Sequence, residues 1–400
     1  MDTYISESLE TVQKSYHDVV IVGAGVSGIA AAVAARRQGL SVLLVEKSIT
    51  FGGLATAGLI GWYEPLCDGK GNRLSSSLSR DLFELAISHS YSCLPKEWEG
   101  FPVQVDTSRR CATFFSPSIF SMELDDYLQK EGVEVLLDTL FVRPIISDGT
   151  VSAIIVEGKS GRSALAARVF VDCSGDADLM DRSGVPCELG RNWLTYIAYL
   201  SDLSNAQKAI ENKSMLYARS WRNSGADLLG NNHPKDFPKY SGTTEEEVTA
   251  FVRNGRQNLF NEIKDMQANK RDIVSTPSMA QFRTTRRIIG ARTLTESDEG
   301  TFQPDSIAAC ADFMHVGKRY EVPYGTLYNR DFGNLLCAGR IISSTGWGWE
   351  VTRVIPVAVA TGQAAGTAAS LAVRKDCRVS EVPIAALQAN LENQGVHLHI

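Results

Sequence analysis

Three glycines decide how this chain must begin to fold. Gly23, Gly25 and Gly28 stand in G-x-G-x-x-G spacing, between a β-branched run from His17 to Val22 and an alanine-rich stretch from Ile29 to Gln38. The first run reads as a buried strand and the second as a helix, so the glycines predict a strand-to-helix turn. Gly39 closes the helix, Ser41 to Val45 reads as a second buried strand, and Glu46 follows, roughly twenty residues beyond Gly28. In such a unit Gly23 permits the tight turn, Gly25 lets the backbone approach a pyrophosphate, and Gly28 lets helix and strand pack closely. Val26 and Ser27 open the helix, where free N–H groups and the positive dipole end favour phosphate. Glu46 is placed to accept both ribose hydroxyls, which disfavours a 2′-phosphate and hence NADP. NAD and FAD remain open at this point.

The residues after Glu46 separate the two. Lys47 and Ser48 lead into FGGLATAGLIGWYEP, where Gly52 and Gly53 open an irregular glycine-rich stretch in place of the next helix. A longer cofactor needs such a second rest for its backbone. Further on, GVEVLLDTLFVRPI, TVSAIIVE and ARVFVDCSGDADL predict strands that form a β-meander beside the parallel sheet, the last of them running out at Ser174, Gly175 and Asp176. Asn334 to Ala372 reads as a buried strand, a Gly339/Arg340 turn, a loop and a long apolar helix. That helix, VIPVAVATGQAAGTAASLAV, has the length of a membrane span. Pro356, Gln363 and its Ala, Gly, Thr and Ser content predict a buried helix of a globular domain instead.

In this order the motifs, together with FRTTRRIIGARTL, PDSIA and VPYGTL, resemble the FAD-dependent oxidoreductase family of the glutathione-reductase fold, over nearly the whole chain. The resemblance implies an α/β architecture: a Rossmann-like FAD-binding domain with parallel sheet and β-meander, plus an inserted cap. The expected division is 1–90, 115–190 and 330–400 for the FAD-binding domain, 91–114 for an excursion toward the substrate domain, and 191–329 for the cap. It implies FAD with its adenosine at Gly23, Gly25, Gly28, Glu46 and Lys47, and its ribityl and flavin portions near Gly52, Gly53, Leu54, Ala55 and Thr56. Phe141 would lie beside the adenine, Ser174, Gly175 and Asp176 below the pyrophosphate, Gly339 and Arg340 beside the ribityl phosphate, and Arg353 and Val354 at the pyrimidine edge. Cys173 and Ser174 stand where the family usually has Ala-Thr, and Phe141 where valine is commoner.

Composition narrows the partners. A formal net charge of -6 gives no basic footprint for nucleic acid. The eight cysteines form no C-x-x-C pair, which excludes a dithiol relay, and no Cys/His cluster has metal-ligand spacing. Scattered this way they read as reduced thiols of a cytoplasmic protein, and the first fifteen residues read as a loose leader without a signal-peptide core. No histidine or cysteine stands in Gly52 to Ala57 or at Gly339 and Arg340, so FAD is expected to be non-covalent.

No residue announces itself as the acid or base. His315 precedes the segment expected to line the flavin, and Tyr324, Glu350 and Arg353 are the other catalytic candidates. Arg283, Arg286 and Arg287 read as interdomain braces, with Arg283 and Arg287 on one helix face. Trp193, Tyr196, Trp221 and Tyr240 read as aromatic core or as a pocket wall. The expected activity is hydride transfer between a small organic substrate and FAD N5, with the external electron acceptor unspecified. Two alternatives stand beside it: an NAD-binding, thiazole-synthase-like enzyme, and a flavin-bound scaffold without turnover.

Overall fold

A computed structural model describes residues 11–94 and 112–400. Cys111, most of the leader and most of the expected 91–114 excursion fall outside them. The strand Val12–Val22 pairs in parallel with Val42–Val45 on one side and with Gly161–Asp172 on the other. Glu134–Leu136 extends the sheet beyond Val42–Val45, and Leu335–Cys337 joins Gly161–Asp172, both in parallel. Leu140–Ser147, Thr150–Gly158 and Gly161–Asp172 run antiparallel to one another as the meander. Register explains what this sheet is for. Val22 lies opposite Val45 and Asp172, and Asp172 lies opposite Cys337. Four strands therefore end at one level, and the turns that leave them, at Gly23, Glu46, Cys173 and Ala338, crowd along a single edge, where open α/β sheets bind their ligands.

Helix Val26–Arg37 and the long helix Ile355–Lys375 cross face to face. Glycine makes the crossing close: a Cβ on Gly362 would stand 2.1 Å from the Ser27 carbonyl oxygen, and one on Gly366 would stand 2.2 Å from that of Ala31. The polar residues of the long helix are satisfied inside the protein. Thr361, Thr367 and Ser370 donate to carbonyls of their own helix, and Gln363 binds the backbone N–H of Leu78 and the side chains of Ser77 and Gln394. This is how an uncharged stretch is buried in protein instead of lipid. None of the described helices is long and apolar enough to cross a membrane.

A second layer is built on Thr195–Asp202, flanked by antiparallel Ser220–Gly225 and Arg271–Ser275. Helix Glu245–Ile263, capped by the Thr244 side chain and led by three glutamates, packs Leu259 and Ile263 onto Tyr196, Ala198 and Leu200. From Ile288 onward, side chains such as Ile307, Tyr320 and Tyr324 belong to the large core again.

The arginine segment departs from its expected helix. Arg286–Ile288 is a strand paired with Cys187–Leu189, so Arg283 and Arg287 share no helix face. Thr284, Thr285, Ile288 and Ile289 around the arginines carry β-branched side chains that favour extended backbone. The arginines form ion pairs from there: Arg286 reaches Asp178 at 3.6 Å and Asp181 at 3.5 Å, and buried Arg287 pairs with Glu188.

Candidate functional site

The first glycine turn has the geometry its spacing predicts. Gly23 has φ +102°, and a Cβ there would meet the Cys173 carbonyl oxygen at 2.4 Å. A Cβ on Gly28 would fall 1.8 Å from the Gly23 carbonyl oxygen. Gly25, by contrast, faces open space and leads the helix in which Val26 and Ser27 are buried. Its neighbour is the second glycine loop: Gly25 bridges Gly52, and Gly53 stands 3.2 Å from the Gly25 Cα, measured from the position of its missing Cβ. Gly52 and Gly53 both take positive φ, 96° and 57°, which a side chain would strain. Bare backbone thus runs unbroken from the first turn into the second loop.

Glu46 is buried and anchored twice, accepting from the Ala24 N–H at 2.7 Å and the Ser48 N–H at 2.8 Å. A carboxylate offers about four lone-pair sites, so two remain for a ligand's hydroxyls. Lys47 reaches Asp176 at 4.0 Å, and Arg340 binds the same carboxylate at 2.7 Å. Burial works against the Asp176 charge, but Arg340 and Lys47, with the Thr285 hydroxyl, outweigh it and hold its pKa below the ordinary range. The guanidinium of Arg340 lies against Gly175, whose missing Cβ would be 3.1 Å away, and Gly339 lies against Ser27. Buried Arg340 Nε has no hydrogen-bond partner among the described residues. An orphaned guanidinium N–H beside open glycine backbone suits the phosphates of a dinucleotide.

Other residues of the expected site hold the scaffold. Ser174 accepts from the N–H groups of Asp176 and Asp178, Ala55 is buried in the Gly53–Ala55 turn beside Leu54, and the Thr56 hydroxyl closes its own loop onto the Phe51 carbonyl. Phe141 is buried, with the Arg182 guanidinium 5.6 Å from its ring centre. Asp172 gave no signal in the sequence, yet it accepts from the N–H groups of Ser174 and Met180 and so shapes the Ser174 turn. Burial pushes its carboxyl up to about 6. A folded-state pKa raised above the unfolded value stabilises the fold below the unfolded value and loses that contribution as pH rises through the folded one. Relative to Asp172→Asn, the wild type should therefore lose about 3 kcal/mol of stability between roughly pH 4 and 6, at about 1.4 kcal/mol per pKa unit. Chemical denaturation of both proteins across that window checks it, and a constant difference between them counts against the raised pKa.

The catalytic candidates divide. Tyr324 is a core residue: its buried hydroxyl donates to the Val379 carbonyl at 2.7 Å. Arg353 pairs with Glu350, Nε to Oε2 at 2.7 Å, directly before Val354 caps the long helix. Its guanidinium also lies 5.8 Å from the Phe313 ring centre, and Phe313 stacks on Trp347. Trp347 Nε1 donates to buried Asp312 at 2.6 Å, and the same Asp312 oxygen lies 2.8 Å from His315 Nδ1. The structure thus brings His315, Glu350 and Arg353 into one cluster and leaves Tyr324 out of it. Arg283 joins the cluster from the cap: burial, then the nearby charge of Arg353, pushes its pKa down to about 10, while it donates to the Asp227 carbonyl at 3.0 Å. Of the four aromatics read as core or wall, Tyr196 and Tyr240 are core, whereas Trp193 packs against Lys239 and Trp221 packs against Phe114.

The strand Thr195–Asp202 is tied to the second glycine loop by Gln281, which sequence reading missed. Its buried amide joins the Gly58 carbonyl at 2.6 Å to both backbone groups of Ile197.

Comparison with known proteins decides the family. The model of the family described as FAD dependent oxidoreductase matches residues 18–198 and 197–391. The chain belongs to that family. Its cofactor is FAD, and the alternative of an NAD-holding protein on this fold falls with that finding. This FAD-dependent oxidoreductase is similar to a digeranylgeranylglycerophospholipid reductase of Methanocella arvoryzae, 32% identical over 44% of this chain and 42% of that one. It is also similar to a 1H-pyrrole-2-carbonyl-[peptidyl-carrier protein] brominase of Pseudoalteromonas luteoviolacea, 24% identical over 67% of this chain and 66% of that one. The matched stretches span less than two thirds of the length of either relative. The structure of p-nitrophenol 4-monooxygenase PnpA from Pseudomonas putida shares the fold, with a TM-score of 0.50 at 13% identity over 96% of this chain and 89% of that one.

Proposed function

We propose that the protein transfers a hydride between a small organic substrate and N5 of non-covalently bound FAD, the electron acceptor being external. In this reading the Gly23–Gly28 turn, Glu46 and Lys47 hold the adenosine half. Gly52 to Thr56, Gly339 and Arg340 hold the ribityl and phosphate portions, with Ser174, Gly175 and Asp176 below the pyrophosphate. Val354 and Arg353 face the pyrimidine edge, and Phe141 lies toward the adenine. The observation that carries the chemical part is the Asp312–His315 pair beside the short helix Trp347–Thr352 that precedes the long one. A donor that gives up a hydride also gives up a proton, and something must receive it. Asp312 holds Nδ1 of the half-exposed His315 and accepts from the backbone N–H of both Met314 and His315, so the ring is oriented with Nε2 available. Trp347 and Phe313 form an apolar wall beside it, and the Glu350–Arg353 pair keeps the charge there balanced.

The test begins with an absorbance spectrum and acid precipitation, which should release the yellow colour into the supernatant. Candidate metabolites are then screened anaerobically for bleaching of the flavin band. With a donor found this way, His315→Gln should slow bleaching by about 100-fold or more at unchanged FAD content, the usual range for loss of a general base being about 10²–10⁴. An unchanged rate removes His315 from the chemistry, and a flavin that no donor bleaches favours a scaffold without turnover.

A further inference from the structure

A second cleft lies beyond the glycine edge, where the cap meets the second loop. Thr50 and Thr56 line it from that loop, Ser118 and Ser121 from the start of helix Pro117–Lys130, and Ser275 and Ser278 from the end of strand Arg271–Ser275 and the residues after it, around a volume of about 190 Å3. Arg219 is the one charged residue in this lining. Its guanidinium lies 4.2 Å from the centre of the Tyr199 ring, and Nε, at 3.1 Å, and Nη2 both donate to the Tyr91 hydroxyl, which leaves the Nη1 side of the fork. Among the described residues no carboxylate lies within ion-pair distance of it. Beside it, the buried Tyr199 hydroxyl has no hydrogen-bond partner among the described residues. The helix that supplies Ser118 and Ser121 begins without a side-chain cap and without an acid in its first turn.

These features have one chemistry in common. A guanidinium laid on one tyrosine ring and hydrogen-bonded to the hydroxyl of another is fixed before any ligand arrives, so little side-chain entropy is lost when an oxyanion docks on the N–H groups that remain. The uncapped helix start adds free N–H groups of the same polarity. The serine and threonine hydroxyls of the lining suit the hydroxyl groups of a ligand, whose carbon skeleton can rest on Ala57, Leu59 and Pro117.

We infer that this cleft binds a small hydroxylated organic anion, its carboxylate or phosphate on Arg219 and its hydroxyls on the serine and threonine wall. The inference rests on the proposed function only in that Thr56 also belongs to the loop assigned to the flavin. Calorimetric titration of the flavin-loaded protein tests it, with gluconate and glucose 6-phosphate as the two anionic probes and sorbitol as the neutral one. At least one anion should bind at millimolar concentration or below and sorbitol should not. Gluconate alone identifies a carboxylate site and glucose 6-phosphate alone a phosphate site. Arg219→Gln should weaken that binding at least tenfold with flavin content and melting temperature unchanged, and Arg219→Lys should recover only part of it. Binding of sorbitol as tight as that of the anions, wild-type affinity in Arg219→Gln, or no heat with either anion overturns the inference. Loss of flavin from Arg219→Gln does so too, because the cleft would then belong to the cofactor. Flavin absorbance is read separately from heat, so failure of the hydride-transfer reading and failure of this one give different results.

Discussion

Glu46→Ala should weaken FAD binding more than any single change in the cap. Two charge-assisted hydrogen bonds to the ribose, at about 1.5–3 kcal/mol each, sum to about 3–6 kcal/mol, or roughly two to four orders of magnitude in affinity. The variant also strands the N–H groups of Ala24 and Ser48, which the carboxylate holds at 2.7 and 2.8 Å. The turn should therefore loosen even without cofactor. Glu46→Gln separates the two effects, since its amide keeps one acceptor oxygen and loses the charge. It should retain more FAD than the alanine variant and less than the wild type. Flavin remaining after exhaustive dialysis, and a dissociation constant from fluorescence on re-addition, check the order. Equal retention by all three proteins removes Glu46 from the ribose.

Gly366→Val, like Gly362→Val, should be among the most destabilising single changes in the long helix. By helix propensity alone, replacing a helical glycine gains a few tenths of a kcal/mol. Here the new Cβ would stand 2.2 Å from the Ala31 carbonyl oxygen and 3.0 Å from the Ala34 side chain. Backbone cannot step aside as a flexible side chain does, so the two helices must part. The expected loss is about 3 kcal/mol or more, at the upper end of the overpacking range. FAD affinity should fall with it, because the same separation moves Ser27 and the first turn of its helix. Denaturant unfolding measures the first effect and flavin titration the second. A variant as stable as the wild type would mean that the helices cross further apart than described.

How much of this was legible in the sequence depends on how local each signal is. The Gly23–Gly28 turn, Glu46 and the Gly39 helix end are set by spacing within one supersecondary unit, and the structure has all of them. The long helix was legible because proline at its start and polar residues along it argue against lipid. Arg283, Arg286 and Arg287 were misplaced on a helix because spacing was read without weighing the β-branched residues among them. Asp172, Gln281 and Arg219 were invisible for another reason. Gln281 and Arg219 act through partners distant along the chain, the Gly58 carbonyl and the Tyr91 hydroxyl, while Asp172 binds near neighbours but is marked only by its burial at the sheet edge. His315 was visible only as a histidine, and what distinguishes it is the Asp312 carboxylate and the Trp347 indole around it. The Arg353–Glu350 pair was within reach, since the two stand one helical turn apart.

The crossing of the first helix and the last long one also bears on how the protein is made. The ribosome delivers Gly23, Gly25 and Gly28 more than three hundred residues before the residues that close over them, Gly339, Arg340, Gly362 and Gly366. Until then the alanine face of the first helix, with Ala31 and Ala34, has nothing to pack against, and the sheet lacks the strand Leu335–Cys337. Contacts between distant parts of a chain form slowly, and the apolar surface awaiting them is exposed to aggregation meanwhile. A ribosome stalled before the long helix would therefore carry a nascent chain with the dinucleotide turn already written and no means of keeping a cofactor. Flavin loading has to wait for the long helix, and overproduction in flavin-poor cells should leave folded but empty protein instead of chains charged during translation.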